Sequence, residues 1–283
     1  MKIQNMFLLR NSWRYFSMLV LLGYQSDTLG NGFKDQMKQS LSELYYYISI
    51  VYTDIPSHSY FWWILFAFSS APFYTKYVHL PTSDDAPPAE IQWNPKFWPF
   101  FKDVIGAIDG SHIHCVPLAF EWASHWNCKG WLSQNCLFAC NFCLAFIYAL
   151  TGWEGSATDA HVWEDALEHD LIIPAGKYFL ADAGFPLCDQ LLVPYWGVRY
   201  HLTEWGHAKV RPVNKEELFN LRHASARNVI ECIFGVLKHW FCILLLAPKY
   251  SLEIQARIPV ALCAVHNFIW DHDSNEGDLP GDP

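Results

Sequence analysis

The sequence predicts an α/β protein, a mixed sheet covered by helices. Short apolar runs bounded by turn residues come first, between residues 101 and 150. A helix and a strand follow, over 158–169 and 178–181, and two long helical periodicities close the chain, over 214–240 and 252–270. Strands, then helices, with one helix–strand pair between them, describe a layered α/β arrangement.

In order, residues 101–108 read as a buried strand ending at Asp109, and 112–116 as the next extended piece. The long apolar stretch 134–150 is two strands turning near Asn141. Thr158 stands where its hydroxyl can cap a helix over 159–169. Residues 178–181 form a short buried strand, from which 182–186 (DAGFP) turn away. The run 214–240 is a long helix with Glu216 and Glu217 in its first turn, where they favour the dipole. A last helix over 252–270 is interrupted near Pro259. Within 214–240, Val229, Ile233, Val236 and Trp240 recur as one apolar face, and Arg227, Glu231, Phe234 and Lys238 run along a roughly opposite one. By spacing alone, Arg227 and Glu231 are an ordinary i, i+4 ion pair on a solvated face.

The chain divides into residues 1–80, aromatic-rich with weak helical periodicity around 33–47; a Pro/Asp linker, 81–97; the well-patterned domain, 98–272; and an acidic tail, 273–283, expected to be disordered. A net charge of −9 excludes DNA binding by the whole surface, although a local basic strip is compatible with it. Arg199, Arg211, Arg222 and Arg227, with Lys209 and Lys215, concentrate what basic character there is just before Glu231. Nine scattered cysteines suit a reducing compartment better than a disulfide framework. Residues 7–24 are interrupted by Arg10 and Arg14, and 60–73 are too short to span a bilayer, so no membrane association is expected. His112 and His114 with neighbouring cysteines raise the question of zinc. A Cys140-x-x-Cys143 pair on a strand would point its thiols to opposite faces, and no second pair follows at ribbon spacing.

Four acidic residues stand in distinctive settings: Asp109 in Val104–His114 (VIGAIDGSHIH), Asp159 in 152–161 (GWEGSATDAH), Asp182 in 178–186 (YFLADAGFP) and Glu231 in 227–238 (RNVIECIFGVLK). Carboxylates delivered from strand ends and one helix are what divalent-metal phosphoryl transfer requires, because hard cations take oxygen ligands.

These segments, in this order and followed by NKEELFNLRHASARNVIECIFGVLK over 214–238, resemble the PIF/Harbinger transposase family, over roughly residues 92–270. The resemblance implies a ribonuclease-H-like mixed sheet flanked by helices, preceded by a mostly helical, poorly defined amino-terminal region. It implies a DDE triad of Asp109, Asp182 and Glu231 holding two Mg²⁺ or Mn²⁺ ions. Asp159 is a further acidic metal position, and the choice between Asp159 and Asp182 as second triad acid stays open. Lys129, Arg227 and Lys238 match basic positions expected on DNA, and Asn127 and Asn135 match the N-x-K-G…S-x-N segment. The implied activity is hydrolysis or transfer of DNA phosphodiester bonds. The implied partners are DNA, a Myb-like DNA-binding protein and a second copy of the chain, in the nucleus or otherwise the cytoplasm.

The chain also departs from the pattern. Cys128, Cys232, His239, Trp240 and Cys242 stand where relatives tend to be basic, and 50–73 is apolar where relatives often carry a helix-turn-helix-like segment. These departures support an alternative expectation: a decayed or domesticated relative acting as a DNA- or protein-binding module.

Overall fold

A computed structural model describes residues 68–69, 71–208 and 211–272. The expectations for the helical periodicity at 33–47, the apolar stretch 50–67, Lys209 and the acidic tail 273–283 lie outside these residues.

The described elements are α1 (Ala71–Tyr77), α2 (Ala89–Gln92), β1 (Val104–His114), α3 (Trp122–His125), β2 (Ser133–Cys140), β3 (Phe146–Glu154), α4 (Asp159–His169), β4 (Tyr178–Leu180), β5 (Leu191–Leu192), α5 (Leu202–Ala208), α6 (Lys215–Trp240) and α7 (Leu252–His272). The strands form one five-stranded sheet in the order β3-β2-β1-β4-β5. The hairpin partners β1, β2 and β3 are antiparallel, while β4 and β5 run parallel to β1. This is a ribonuclease-H-like α/β fold, as expected.

Strand alternation, shifted in phase by an irregularity between Val104 and Gly106 of β1, builds a core on each face of the sheet. Ile105, Ile108, Leu137, Ala139 and Phe179 face α4, against Val162, Trp163 and Ala166. Val104, Ala107, Cys136, Phe138, Cys140 and Leu180 face the other way, toward Ile230, Ile233, Phe234 and Leu237 of α6 and Leu262 and Val265 of α7. Phe68, Phe73, Val78 and Ile91 join that second core, so α1 and α2 pack on the same sheet layer.

The helix caps form where the sequence places them. The Thr158 side chain accepts from His161 N–H at the start of α4, and Asn214 does the same for Glu217 N–H at the start of α6. The turn near Asn141 also forms, its side chain accepting from the N–H groups of Cys143 and Ala145.

Three local expectations change. Asp109 does not end a strand: β1 runs on to His114 because Ala107–His114 pair without a break against β2. The buried face of α6 is centred on Ile230 rather than Val229 and Val236, and it takes in Arg227 and Phe234. The last helix is not interrupted at Pro259. Proline supplies no N–H to the carbonyl four residues back, which is Gln255. The Gln134 side chain on β2 donates to that carbonyl at 2.9 Å, so the helix continues with its backbone satisfied.

Candidate nuclease site

Asp109 lies mid-strand on β1, opposite Phe138 on β2, with its side chain on the α6 face. Asp182 lies two residues past β4, the parallel neighbour of β1, and its Oδ1 accepts from Gly184 N–H at 2.8 Å. Glu231 projects from α6, which crosses that face. The three meet on one cation. Arg227 brings a guanidinium nitrogen to 2.7 Å from Asp109 and 3.9 Å from Asp182, and its other terminal nitrogen to 3.5 Å from Glu231. Arg227 is buried, whereas the Glu231 side chain is 56% exposed, so the cluster opens toward Glu231.

Asp159 approaches from the other face. It begins α4, and its carboxylate lies over Gly110, the residue after Asp109. A Cβ at Gly110 would overlap that carboxylate, so only glycine leaves room for it. Asn135 holds it there, donating from Nδ2 to Asp159 Oδ1 at 2.9 Å and to Ala157 O at 3.0 Å. Burial pushes the Asp109 carboxyl up to about 7; Arg227 opposes the rise, and Asp182, Glu231 and Asp159 add to it. The four carboxylates thus share one electrostatic neighbourhood, with three on the guanidinium and the fourth behind β1.

The basic candidates separate. Arg227 faces inward to the carboxylates rather than outward to a DNA backbone. Lys238, two turns along α6 from Glu231, donates to Ser111 Oγ at 3.0 Å. Lys129 is exposed at the tip of a turn, where the Asn127 side chain accepts from the N–H groups of Lys129 and Trp131. Burial first, and then the charge of Lys129, lower the pKa of Lys238, so the two lysines sense each other beside the site. Asn127 also donates to Ser133 Oγ, which hydrogen-bonds with His112 Nδ1, tying the turn to β1. The expected arginine concentration dissolves into the fold. Arg199 lies over the Trp205 ring and beside Glu217, and Arg222 lies over Phe100.

Gly110 and Ser111 were not singled out from the sequence. The available signal was a glycine and a small hydroxyl directly after a strand carboxylate. From the sequence Asn135 stands only as part of the N-x-K-G…S-x-N match; its part in holding Asp159 emerges from the β1–β2 register, which pairs it with His112.

An all-oxygen carboxylate set suits a hard divalent cation. The guanidinium at the centre of three carboxylates marks a place that suits a positive charge and fits such an ion in kind. Among the described residues, no three His, Cys, Asp or Glu side chains are grouped to hold a metal ion in this arrangement. Among the described residues, too, no helix is long and apolar enough to cross a membrane.

The chain is 30% identical over 175 residues to the Rattus norvegicus protein named "Putative nuclease HARBI1", 29% to that of Bos taurus and 27% to that of Homo sapiens. Each match covers 60% of this chain and 46% of the relative, so the chain spans about half the length of the curated relatives it matches. No solved structure matches it. The sequence profile of the DDE superfamily endonuclease matches residues 108–267, a span that begins at the strand carrying Asp109 and ends in α7. More than half of the chain lies within that match, and the chain belongs to the DDE superfamily endonuclease family.

Proposed function

We propose that this chain is a Harbinger-type nuclease that cuts or transfers DNA phosphodiester bonds with Mg²⁺ or Mn²⁺, in a pair. The observation that carries this reading is the meeting of Asp109, Asp182 and Glu231, from three separate elements, around one positive charge. Asp109, Asp182 and Glu231 would hold the metal as the catalytic triad, with Asp159 a further ligand from across Gly110. When bound, the ions supply electrophilic stabilisation of the charge that develops on a phosphodiester. The chain's own residues do the rest. Asn135 orients Asp159, Ser111 and Lys238 fix each other beside Asp109, and Lys129 and Lys238 offer cations to the DNA backbone.

The test is Mn²⁺-dependent nicking of supercoiled plasmid by the full chain. Asp182→Asn should lower nicking roughly a thousandfold, the scale of several kcal/mol of lost charge stabilisation, while the folded circular dichroism spectrum is kept. Unchanged nicking by Asp182→Asn would remove the assignment. Mn²⁺ should also raise the stability of the wild-type chain, by about 2.7 kcal/mol at a hundredfold excess over its Kd, and a metal-independent unfolding midpoint contradicts the reading. Lys129→Ala with Lys238→Ala should flatten the salt dependence of DNA affinity by roughly two units of slope. An unaltered slope places DNA elsewhere.

A second reading is a non-catalytic relative that binds DNA or protein. It is favoured by the buried guanidinium at the centre of the carboxylates and by exposed Cys232 beside Glu231. A metal-binding chain that never nicks would select it. A nuclear location, a Myb-like partner and self-association belong to both readings. They are tested by imaging the tagged chain, by its co-purified proteins and by its mass in solution.

A further inference from the structure

We propose that Arg227 is a positioning residue that acts as a resident cation: it holds Asp109, Asp182 and Glu231 together in the metal-free protein and yields its place to the divalent ion. This rests on the metal-nuclease reading above. Arg227 thereby sets the metal affinity of the site.

The argument begins with charge. Three carboxylates from β1, the segment after β4 and α6 converge on one face of the sheet, and without a cation between them they would repel. Arg227 supplies that cation, at 2.7 Å from Asp109, 3.9 Å from Asp182 and 3.5 Å from Glu231.

The manner of its seating separates a placeholder from a permanent strut. A guanidinium built into a core makes parallel two-nitrogen contacts with a carboxylate and satisfies its remaining donors. Arg227 does neither. Asp109 and Asp182 share one terminal nitrogen, two of the three contacts are long, Tyr200 lies beside the guanidinium, and the buried Nε has no hydrogen-bond partner. Buried donors left unpaired in a native protein ask for an explanation, and a cation seated on a single short contact, to Asp109, supplies one.

The exit is also present. Arg227 lies one helical turn before Glu231, and the Glu231 side chain is 56% exposed where that of Arg227 is 9%. In the proposed exchange the guanidinium leaves on that exposed side, past Glu231. A divalent ion then meets carboxylates already gathered.

The experiment is calorimetric titration of Mn²⁺ into the full chain, with thermal unfolding in chelator and in Mn²⁺, for the wild type, Arg227→Gln and Arg227→Lys. Removing a competing charge within 4 Å of the carboxylates should tighten Mn²⁺ binding by Arg227→Gln roughly tenfold or more. In chelator the same variant should unfold at a lower temperature than the wild type, and Mn²⁺ should raise its midpoint by more. Arg227→Lys, which keeps the charge, should fall back toward the wild type in both readouts. Equal Mn²⁺ affinity in all three proteins overturns the resident-cation role and leaves the metal site standing. Absence of Mn²⁺ binding from all three overturns both.

If Arg227→Gln does not fold, the wild type decides the matter. The Arg227 side-chain Nε resonance, identified by its loss in Arg227→Lys, should move on Mg²⁺ saturation toward that of solvent-exposed arginine. A resonance that stays in place while Mg²⁺ binds overturns the proposal.

Discussion

Gly110 carries much of the site's geometry without a side chain. Its neighbour Asp109 points to α6, and strand alternation turns Gly110 to the α4 face, where the Asp159 carboxylate occupies the space a Cβ would need. Gly110→Ala should therefore cost about 1–3 kcal/mol of stability, the usual range for forcing an extra carbon into a packed position. Most of that cost should vanish in an Asp159→Ala background, because the clash is with that carboxylate. Denaturant midpoints of the two single variants and the double variant read the coupling, and additive effects would show that the strain lies elsewhere.

Within elements, α7 shows how a long-range contact rescues a local defect. Pro259 sits inside the helix and cannot donate to Gln255 O, yet that carbonyl receives Gln134 Nε2 from β2. Gln134→Ala leaves a buried acceptor unpaired and should cost about 1–3 kcal/mol. Pro259→Ala restores the backbone N–H, so the cost of Gln134→Ala should shrink by about 1 kcal/mol in that background. An undiminished cost in the double variant would mean that Gln134 acts through its packing alone. Gln255 extends the same seam, its side chain accepting from Val116 N–H and donating to Val116 O, which joins α7 to the chain leaving β1.

Across the whole molecule, two buried histidines tie helices to the edges of the sheet. His223 on α6 donates from Nε2 to Leu192 O on β5, and His266 on α7 donates from Nε2 to Leu144 O in the β2–β3 turn. Each has a buried Nδ1 with no partner, so protonation would bury an unmet charge. Burial accordingly lowers both pKa values to about 4. A depressed histidine leaves the folded chain binding fewer protons than the unfolded one, so stability is full above the ordinary histidine pKa and falls as pH drops from about 6.5 toward 4. Asp109, raised to about 7 mainly by burial, takes up a proton in the folded chain over the same window and acts in the opposite sense. With two histidines against one aspartate, the net slope for these groups is about 1.4 kcal/mol per pH unit, and Asp109→Asn should steepen it to about twice that. Unfolding free energies in chelator between pH 7 and 4.5 measure both slopes. A wild-type slope that Asp109→Asn leaves unaltered would show that Asp109 is ionised throughout.

Much of the architecture was legible because local chemistry specifies elements. Thr158 and Asn214 are cap residues ahead of helical periodicities, Asn141 is a turn former between two apolar runs, and strands followed by helices imply a layered sheet. The four acidic segments were legible as motifs, each recognisable by its own neighbours in the sequence. Their assembly was not. A period of 3.6 residues places Arg227 and Glu231 on one line of a helix but does not say which side of that line meets the sheet. Packing of Ile230 and Ile233 against β1 and β2 turned Arg227 inward to Asp109. Nor does a strand-like run say where it stops. Eight continuous register pairs with β2 carried β1 past Asp109 and set Gly110 under Asp159. The two-residue strand β5 left no readable period at all. Caps, turns and periodicities act over a few residues and can be read from neighbours. Inter-strand register and the rotation of a helix about its axis are settled by apolar burial between segments far apart in the chain, and those two quantities brought the carboxylates onto one guanidinium.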